Sequence, residues 1–517
     1  MVALNSAQKF AVNLAADVLA HHGPKLAQVE GVRRSVVRKI EKKMLSGLER
    51  DLTDPNCLPG IAEDRTAMGL AIVGTVERAL TANCLSQASL RAVSKILIQQ
   101  LFLQQGESSA VGSFQAEHGI RPPSFLVLSP GKACNLHCTG CYADSSAASE
   151  KLDWSTVDRI ILEAKSLWGV RFFVISGGEP FAYRSEGKGI LDLIEKHADC
   201  MFMAYTNGTL IDSKVSERLA QAGNLLPAIS VEGWQDHTDA RRGAGVFDHV
   251  LSTMGLLRGE GVPFGISLTA TRHNVEEILS DEFLGFFQQH GALFGWIFQY
   301  MPIGRSFTLD LMPTPQQRAW MWNRSWEVIR NRRMFLADFW NHGTTCDGCL
   351  SAGGHGAGGY FYIDWNGAVS PCVFLPYSPL NIKEVYARGG TLNAVWADPF
   401  FRSLRDWQLK YKQENGNGLA PCPNRDHHSD LQRMLREHEP DPIDANAAAA
   451  LLDPDYVQGL AQYDATYQSL TGDLWENHYL RRTPAKGILR DSLLDTVGLE
   501  AAVADGQKMP AKVLESV

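Results

Sequence analysis

The sequence predicts an α/β protein: a partial (β/α)6 barrel, with a helical region ahead of it and an α+β extension behind. Three observations carry this expectation. Six short apolar runs end near Ser129, Ser176, Tyr205, Val231, Ala270 and Met301, with helix-length stretches between them such as Trp154 to Leu167, Ser213 to Ala222, Phe247 to Arg258 and Ile278 to Gln289. Strands that alternate with helices make parallel βαβ units, and six units fit a partial barrel. Residues 1 to about 110 instead carry helical apolar spacing. Behind the sixth run, Trp365-Asn366-Gly367 separates two short apolar stretches, the pattern of a hairpin with an Asn-Gly turn. The expected division is 1–118 helical, 119–310 barrel core, 311–430 an auxiliary region and 431–517 a mostly helical tail.

Bulk composition excludes several classes of function. With 517 residues, 45% hydrophobic and 21% charged, the chain is neither disordered nor fibrous. A net charge of −8 gives no basic field for nucleic acid, so no nucleic-acid partner is expected. No apolar run has the length of a membrane span, and Met1 to Phe10 lacks the signal-peptide pattern. Ten cysteines in that context read as metal ligands and free thiols of a reducing, cytoplasmic compartment.

The helical region offers one surface of note. Val29, Val32, Val36, Ile40 and Met44 share a helix face, rimmed by Arg33, Arg34, Arg38, Lys39, Lys42 and Lys43. The favoured expectation is a core-facing stripe with a solvated basic rim. The alternative is peripheral contact with an anionic membrane. Arg65 to Ala82 reads as a buried helix, Leu90 to Leu103 as a third helix and Gln104 to Gly119 as a linker. Cys57, Cys84 and Cys200 stand alone and read as small buried hydrophobes.

The first run, Ser124 to Ser129, leads through Pro130-Gly131 into Cys134-x3-Cys138-x2-Cys141. Three thiolates on one loop can bind three irons of a cubane cluster and leave the fourth iron open to chemistry. A zinc site short of one ligand, or three unrelated thiols, fits the same residues. Further segments stand at later strand ends: Gly177-Gly178-Glu179-Pro180, Thr206-Asn207-Gly208-Thr209, Ile229-Ser230-Val231-Glu232-Gly233 and then Arg241-Arg242-Gly243. In order and placement these motifs resemble the radical S-adenosylmethionine (radical SAM) enzymes. The resemblance implies a SAM-binding [4Fe–4S] cluster on Cys134, Cys138 and Cys141. It implies that Glu179, with Gly177, Gly178 and Pro180, receives the methionine ammonium of SAM. It also implies that Asn207, Ser230 and Arg242 reach ribose or carboxylate. That family commonly has an aromatic residue before the last cysteine; here it is Gly140, and Tyr142 just beyond is expected to cover the cluster or the adenine. The implied chemistry is reductive cleavage of SAM and hydrogen abstraction from an unactivated carbon, fed by a reductase, flavodoxin or ferredoxin.

Gln299 to Arg305 closes the sixth unit and is expected over the barrel mouth, touching ligand or packing the turn. A helical connector, Pro315 to Arg332, leads to Cys346-x2-Cys349, a glycine-rich run, the hairpin, Cys372 and finally Cys422. The glycine run lacks the Gly-Lys-Ser/Thr ending of a phosphate loop. Four cysteines so placed suit one further cluster, and zinc remains an alternative. The region resembles the SPASM and twitch extensions of radical SAM enzymes. Four cysteines, where a full SPASM region has seven, match the single-cluster form. His427 and His428 lie close enough to Cys422 in sequence to offer a substitute ligand. That resemblance implies a second [4Fe–4S] cluster and a peptide or protein substrate. A lipid or other small molecule is the second expectation, through the basic N-terminal helix.

Overall fold

The computed structural model describes residues 29–55, 57–93, 109–346, 348–355 and 358–481. The expectations for Met1 to Phe10 and for most of Leu90 to Leu103 lie outside the described residues. Four helices come first: α1 (Glu30–Asp51), α2 (Pro59–Thr81), α3 (Gln87–Ala92) and α4 (Ser109–His118). The last corrects the expected linker. Phe114 is buried against Trp396, and that contact stabilises a helix which local composition did not suggest.

The barrel strands are β1 (Leu126–Leu128), β2 (Phe172–Ile175), β3 (Met201–Thr206), β4 (Leu225–Val231), β5 (Gly265–Ala270) and β6 (Phe294–Gln299). They pair parallel in sequence order, with Val127 opposite Val174, Val174 opposite Met203 and Ser230 opposite Ser267. Alternate residues on a strand face opposite ways. Leu126, Leu128, Phe173, Ile175, Phe202 and Ile229 join the core beneath the outer helices, while Val127, Val174 and Met203 pack together in the barrel interior. The outer helices carry matching stripes. On α5 (Trp154–Trp168), Val157, Ile160, Ile161, Ala164 and Trp168 repeat at three- and four-residue intervals and are all buried.

The sheet continues past the sixth strand on both edges. β7 (Phe335–Asp338) adds parallel to β6, while β8 (Tyr362–Ile363) adds parallel to β1 and carries β9 (Ala368–Ser370) as its antiparallel hairpin partner. The Asn366-Gly367 turn falls between β8 and β9, as the sequence predicts. The segment bearing Cys372 is therefore an extension of the barrel sheet itself.

The connector forms a helix over the expected residues, Pro315–Arg332. Thr314 accepts from the Gln317 amide at 3.1 Å, and the Gln317 side chain accepts from the Thr314 amide at 2.9 Å, a reciprocal cap that fixes the start. Arg318 on this helix meets Asp426, and both side chains are fully buried. Asp426 Oδ2 receives Arg318 Nη2 at 3.0 Å and the Cys422 amide at 3.1 Å, and the guanidinium lies 3.7 Å from the centre of the Tyr467 ring. One buried carboxylate thus ties the connector to the turn that presents Cys422.

At the N-terminal side, α1 packs on α2, and Arg333 pairs with Glu41. The stripe on α1 divides. Met44 lies against Gly69 of α2, whereas Val29, Val32, Val36 and Ile40 are 51, 41, 36 and 43% exposed. The core-facing expectation therefore holds for the C-terminal half of α1 and not for the half before it. No helix among the described residues is long and apolar enough to cross a membrane.

Replacing Asp426 with Ala strands the buried Arg318 charge. The expected loss is about 3–5 kcal/mol of stability, read as an earlier midpoint in anaerobic urea unfolding, because removal of one partner leaves an uncompensated ion.

Candidate functional site: two sets of thiols on one cavity

A cavity of about 460 Å³ opens at the C-terminal ends of the strands. Cys134, Cys138 and Cys141 line it from the loop after β1. The backbone of the next strand end holds that loop in place. Gly178 N donates to Gly131 O at 3.0 Å and Glu179 N to Ala133 O at 2.8 Å. A Cβ on Gly178 would stand 2.1 Å from Ala133 O and 2.4 Å from Lys132 O, so only glycine permits this approach. On the opposite side, Arg305 N donates to Cys141 O at 3.0 Å and Arg305 Nη1 to Cys138 O at 2.7 Å. The Gln299 to Arg305 segment therefore acts in part as a clamp on the cysteine loop, while Gln299 turns to Asp338 and Arg425.

Glu179 is buried where β2 and β3 end. Oε1 receives Thr206 Oγ1 at 2.6 Å and the Phe181 amide at 3.1 Å, and Oε2 receives the Asn207 amide at 2.8 Å. Burial outweighs these bonds and raises its pKa above the usual carboxylate range. An acid so placed gains from an incoming ammonium ion. Asn207 lines the cavity, but its amide is engaged with the cysteine loop, donating to Asn135 Oδ1 at 3.0 Å and lying 3.8 Å from Cys134 Sγ. Ser230 lines the same wall beside Ser267 and Thr269. Tyr142 sits between the two strand ends and the extension. Its hydroxyl is 2.6 Å from Ser176 Oγ, it accepts from the Gly177 amide at 3.1 Å, and its ring meets Phe374 edge-on. Pro180 follows Glu179 in a short 3-10 turn and is buried.

Arg242 is not a free cation. It donates Nε to Glu232 Oε1 at 2.8 Å, and the same oxygen receives Arg241 Nη1 at 2.6 Å. Arg241 also donates Nε to Thr139 O at 3.1 Å, so the pair braces the cysteine loop from beneath. Sequence reasoning picked out Arg242 but missed the roles of Arg241 and Arg305, which are contacts to backbone carbonyls and leave no motif.

The second thiol set faces the first across the cavity. Cys346, Cys349, Cys372 and Cys422 all line it. Cys372 follows β9, its Sγ is 2.9 Å from the Tyr360 hydroxyl, and it accepts from the Phe374 amide at 3.4 Å. Cys349 Sγ lies 3.2 Å from Ser351 Oγ. Burial pushes Cys349, Cys372 and Cys422 up to about 12 and Cys134 up to about 11. Thiols in such surroundings become thiolates only against a bound metal charge. Among the described residues no three His, Cys, Asp or Glu side chains close on a single ion. The donor chemistry, three thiols on one loop and four from three further segments on the same cavity, fits cubane clusters. The histidines are turned elsewhere: His427 Nε2 lies 2.9 Å from Ala420 O and His428 Nδ1 lies 3.0 Å from Asn424 O, and neither lines the cavity. Cys57, Cys84 and Cys200 lie away from it.

Residues 128–281 carry a match to the Radical SAM superfamily, and the chain is an enzyme with [4Fe–4S] and SAM as its cofactors. It is 26% identical over 314 residues to an AdoMet-dependent heme synthase of Methanosarcina barkeri, covering 55% of this chain and 85% of that protein. It is 26% identical over 160 residues to the sporulation killing factor maturation protein SkfB of Bacillus subtilis, covering 30% of this chain and 38% of that one. Among solved structures it is similar to Streptococcus suis SuiB bound to S-adenosylmethionine, with a TM-score of 0.46 and 19% identity over 57% of this chain and 71% of that one.

Two outcomes follow from the loop packing and the thiol contacts. Gly178→Ala should displace the Cys134 loop and lower the iron of anaerobically reconstituted protein from about eight to about four per chain, the content of two cubanes and of one. Tyr360→Phe removes the hydroxyl donor beside Cys372. In an EPR-monitored redox titration it should shift the potential of one cluster downward and leave the other in place, since hydrogen bonds to ligand sulfur stabilise the reduced state.

Proposed function

We propose that this radical SAM enzyme breaks an unactivated C–H bond of an organic substrate lodged between two clusters. One cluster is held by Cys134, Cys138 and Cys141, and the other by Cys346, Cys349, Cys372 and Cys422. The observation that carries the reading is that all seven thiols line one cavity. When bound, the first cluster and SAM supply a 5′-deoxyadenosyl radical, the cofactor's own chemistry.

The chain supplies position and exclusion of water. Glu179 takes the methionine ammonium, with Gly177, Gly178 and Pro180 shaping the turn that presents it. Asn207 and Ser230 reach the ribose or carboxylate once SAM enters, and Asn207 exchanges its bond to Asn135 for one to the ligand. Arg242, already neutralised by Glu232, holds the floor of the site. Tyr142 stands between the SAM side and Phe374, at the boundary with the substrate space. The second thiol set has no partner missing, which suits electron transfer or structure over direct chemistry. A reductase, flavodoxin or ferredoxin delivers the electron.

The names of the relatives offer two substrate classes, tetrapyrroles and peptides. The similarity to SkfB supports a peptide or protein substrate, and the heme synthases support a small molecule. The wall favours the small-molecule class. Polar groups gather at the barrel strand ends, and the inner part of the wall is Phe125, Val127, Phe172, Val174, Met203 and Phe335. A peptide backbone would find few partners there.

The triple variant Cys134→Ala, Cys138→Ala, Cys141→Ala should yield no 5′-deoxyadenosine in anaerobic incubation with SAM and dithionite, while wild type yields it. Equal production by both would remove the reading. The triple variant Cys346→Ala, Cys349→Ala, Cys372→Ala should still cleave SAM, carry about half the iron and release no modified product by mass spectrometry.

A further inference from the structure

The cavity does not stop at the strand ends where the thiols lie. Its wall reaches Phe125 just before β1, Phe172 at the first position of β2 and Phe335 at the first position of β7. Between these and the mouth stand Val127, Val174 and Met203. Parallel barrels ordinarily fill this space with side chains. Here it remains open along the strands, and every charged lining residue, Glu179, Arg241, Arg242 and Asp338, sits at or beyond a C-terminal strand end.

The same wall includes Met68 of α2. Its neighbour Gly69 meets Met44 of α1, and α1 carries the exposed Val29, Val32, Val36 and Ile40. Lys39 and Lys43 stand beside that stripe on the same helix, whereas Arg34 pairs with Glu30 and Arg38 lies on the opposite side. An apolar face with a basic rim, exposed among the described residues, complements an anionic bilayer surface in both hydrophobicity and charge.

We propose that the inner part of the cavity is a channel for the hydrocarbon chain of a lipid, taken from an anionic membrane on which α1 rests. This names the substrate class for the reading above and rests on it. The chain lies along Val127, Val174 and Met203, past the aromatic ring of Phe125, Phe172 and Phe335, and places one methylene near the mouth. Apolar contact supplies the affinity, so binding should tighten about fourfold with each added CH₂ until the channel is full.

The test uses the anaerobically reconstituted full chain. Wild type should bind cis-parinaric acid, a fluorescent long-chain fatty acid, saturably, and saturated fatty acids of increasing length should displace it with rising affinity. Val174→Phe narrows the channel without adding charge and should shift the preferred length to shorter acids. Val174→Asp should weaken binding tenfold or more. Wild type should also pellet with phosphatidylglycerol vesicles at low salt, and the Arg34→Glu, Lys39→Glu, Lys43→Glu variant should not. No saturable binding by wild type, an unchanged length preference in Val174→Phe, or no vesicle binding by wild type overturns the proposal. A circular dichroism melt of Val174→Phe matching wild type ties any change to the channel. The two readings fail separately. SAM cleavage by wild type without chain binding leaves the radical reading standing and removes the channel. Chain binding without SAM cleavage does the reverse.

Discussion

The fold is built to let two backbone segments touch. The Gly177–Gly178 turn lies directly against the carbonyls of residues 131–133, closer than any side chain would allow. The hydrogen bonds across that contact convert the register of β1 and β2 into the position of three cysteines. Each other group at the mouth depends on it. Glu179 is placed by the amide next to the contact, Asn207 is placed by Glu179 and by the cysteine loop, and Arg305 presses the loop from the opposite side. A loop held from two sides by backbone bonds loses little by binding a cluster, since its conformational entropy is already spent.

Ion pairs and buried neutral groups surround the cavity. Arg241 and Arg242 share Glu232, Arg318 meets Asp426, and burial lowers His342 to about 3, so it is uncharged at any working pH. Thiolates would balance the charge of iron bound there, and the negative charge left on sulfur would be met by donors such as the Leu136 and Phe374 amides and the Tyr360 hydroxyl. With water excluded, such donors weigh heavily in setting potential.

Much of this was legible in the sequence. The six barrel strands end within a residue or two of the expected positions, because parallel strands buried on both faces read as continuous apolar runs bounded by glycine or polar turns. The seven cysteines that line the cavity stand out in the sequence by their spacing, and Cys134, Cys138 and Cys141 also by following a strand end. Other features were not legible. The two residues of β8 carry no periodicity, and their pairing with β1 is decided by the sheet edge they meet. The α4 helix sits in a polar, glycine-containing stretch and owes its existence to Phe114 meeting Trp396. The stripe on α1 gave the helix but not its surroundings, since amphipathicity alone cannot say which half of a long helix will find a neighbour. Arg305 and Arg241 act on backbone carbonyls, and such contacts depend on where loops cross.

The pairing of β8 with β1 has a consequence for how the molecule is made. Ser124 and Gly359, bonded beside that pairing, are 235 residues apart in the chain. Contacts of such long range form late, because loop closure must precede them. During synthesis the edge of β1 stays bare until the hairpin emerges, long after Cys134, Cys138 and Cys141 have left the ribosome. In that interval Cys134, Cys138 and Cys141 stand on a barrel still open at one side, before Cys372 and Cys422 have been brought to the same cavity. The open edge of β1 is thus the interval in which the nascent chain is most exposed to edge-to-edge aggregation.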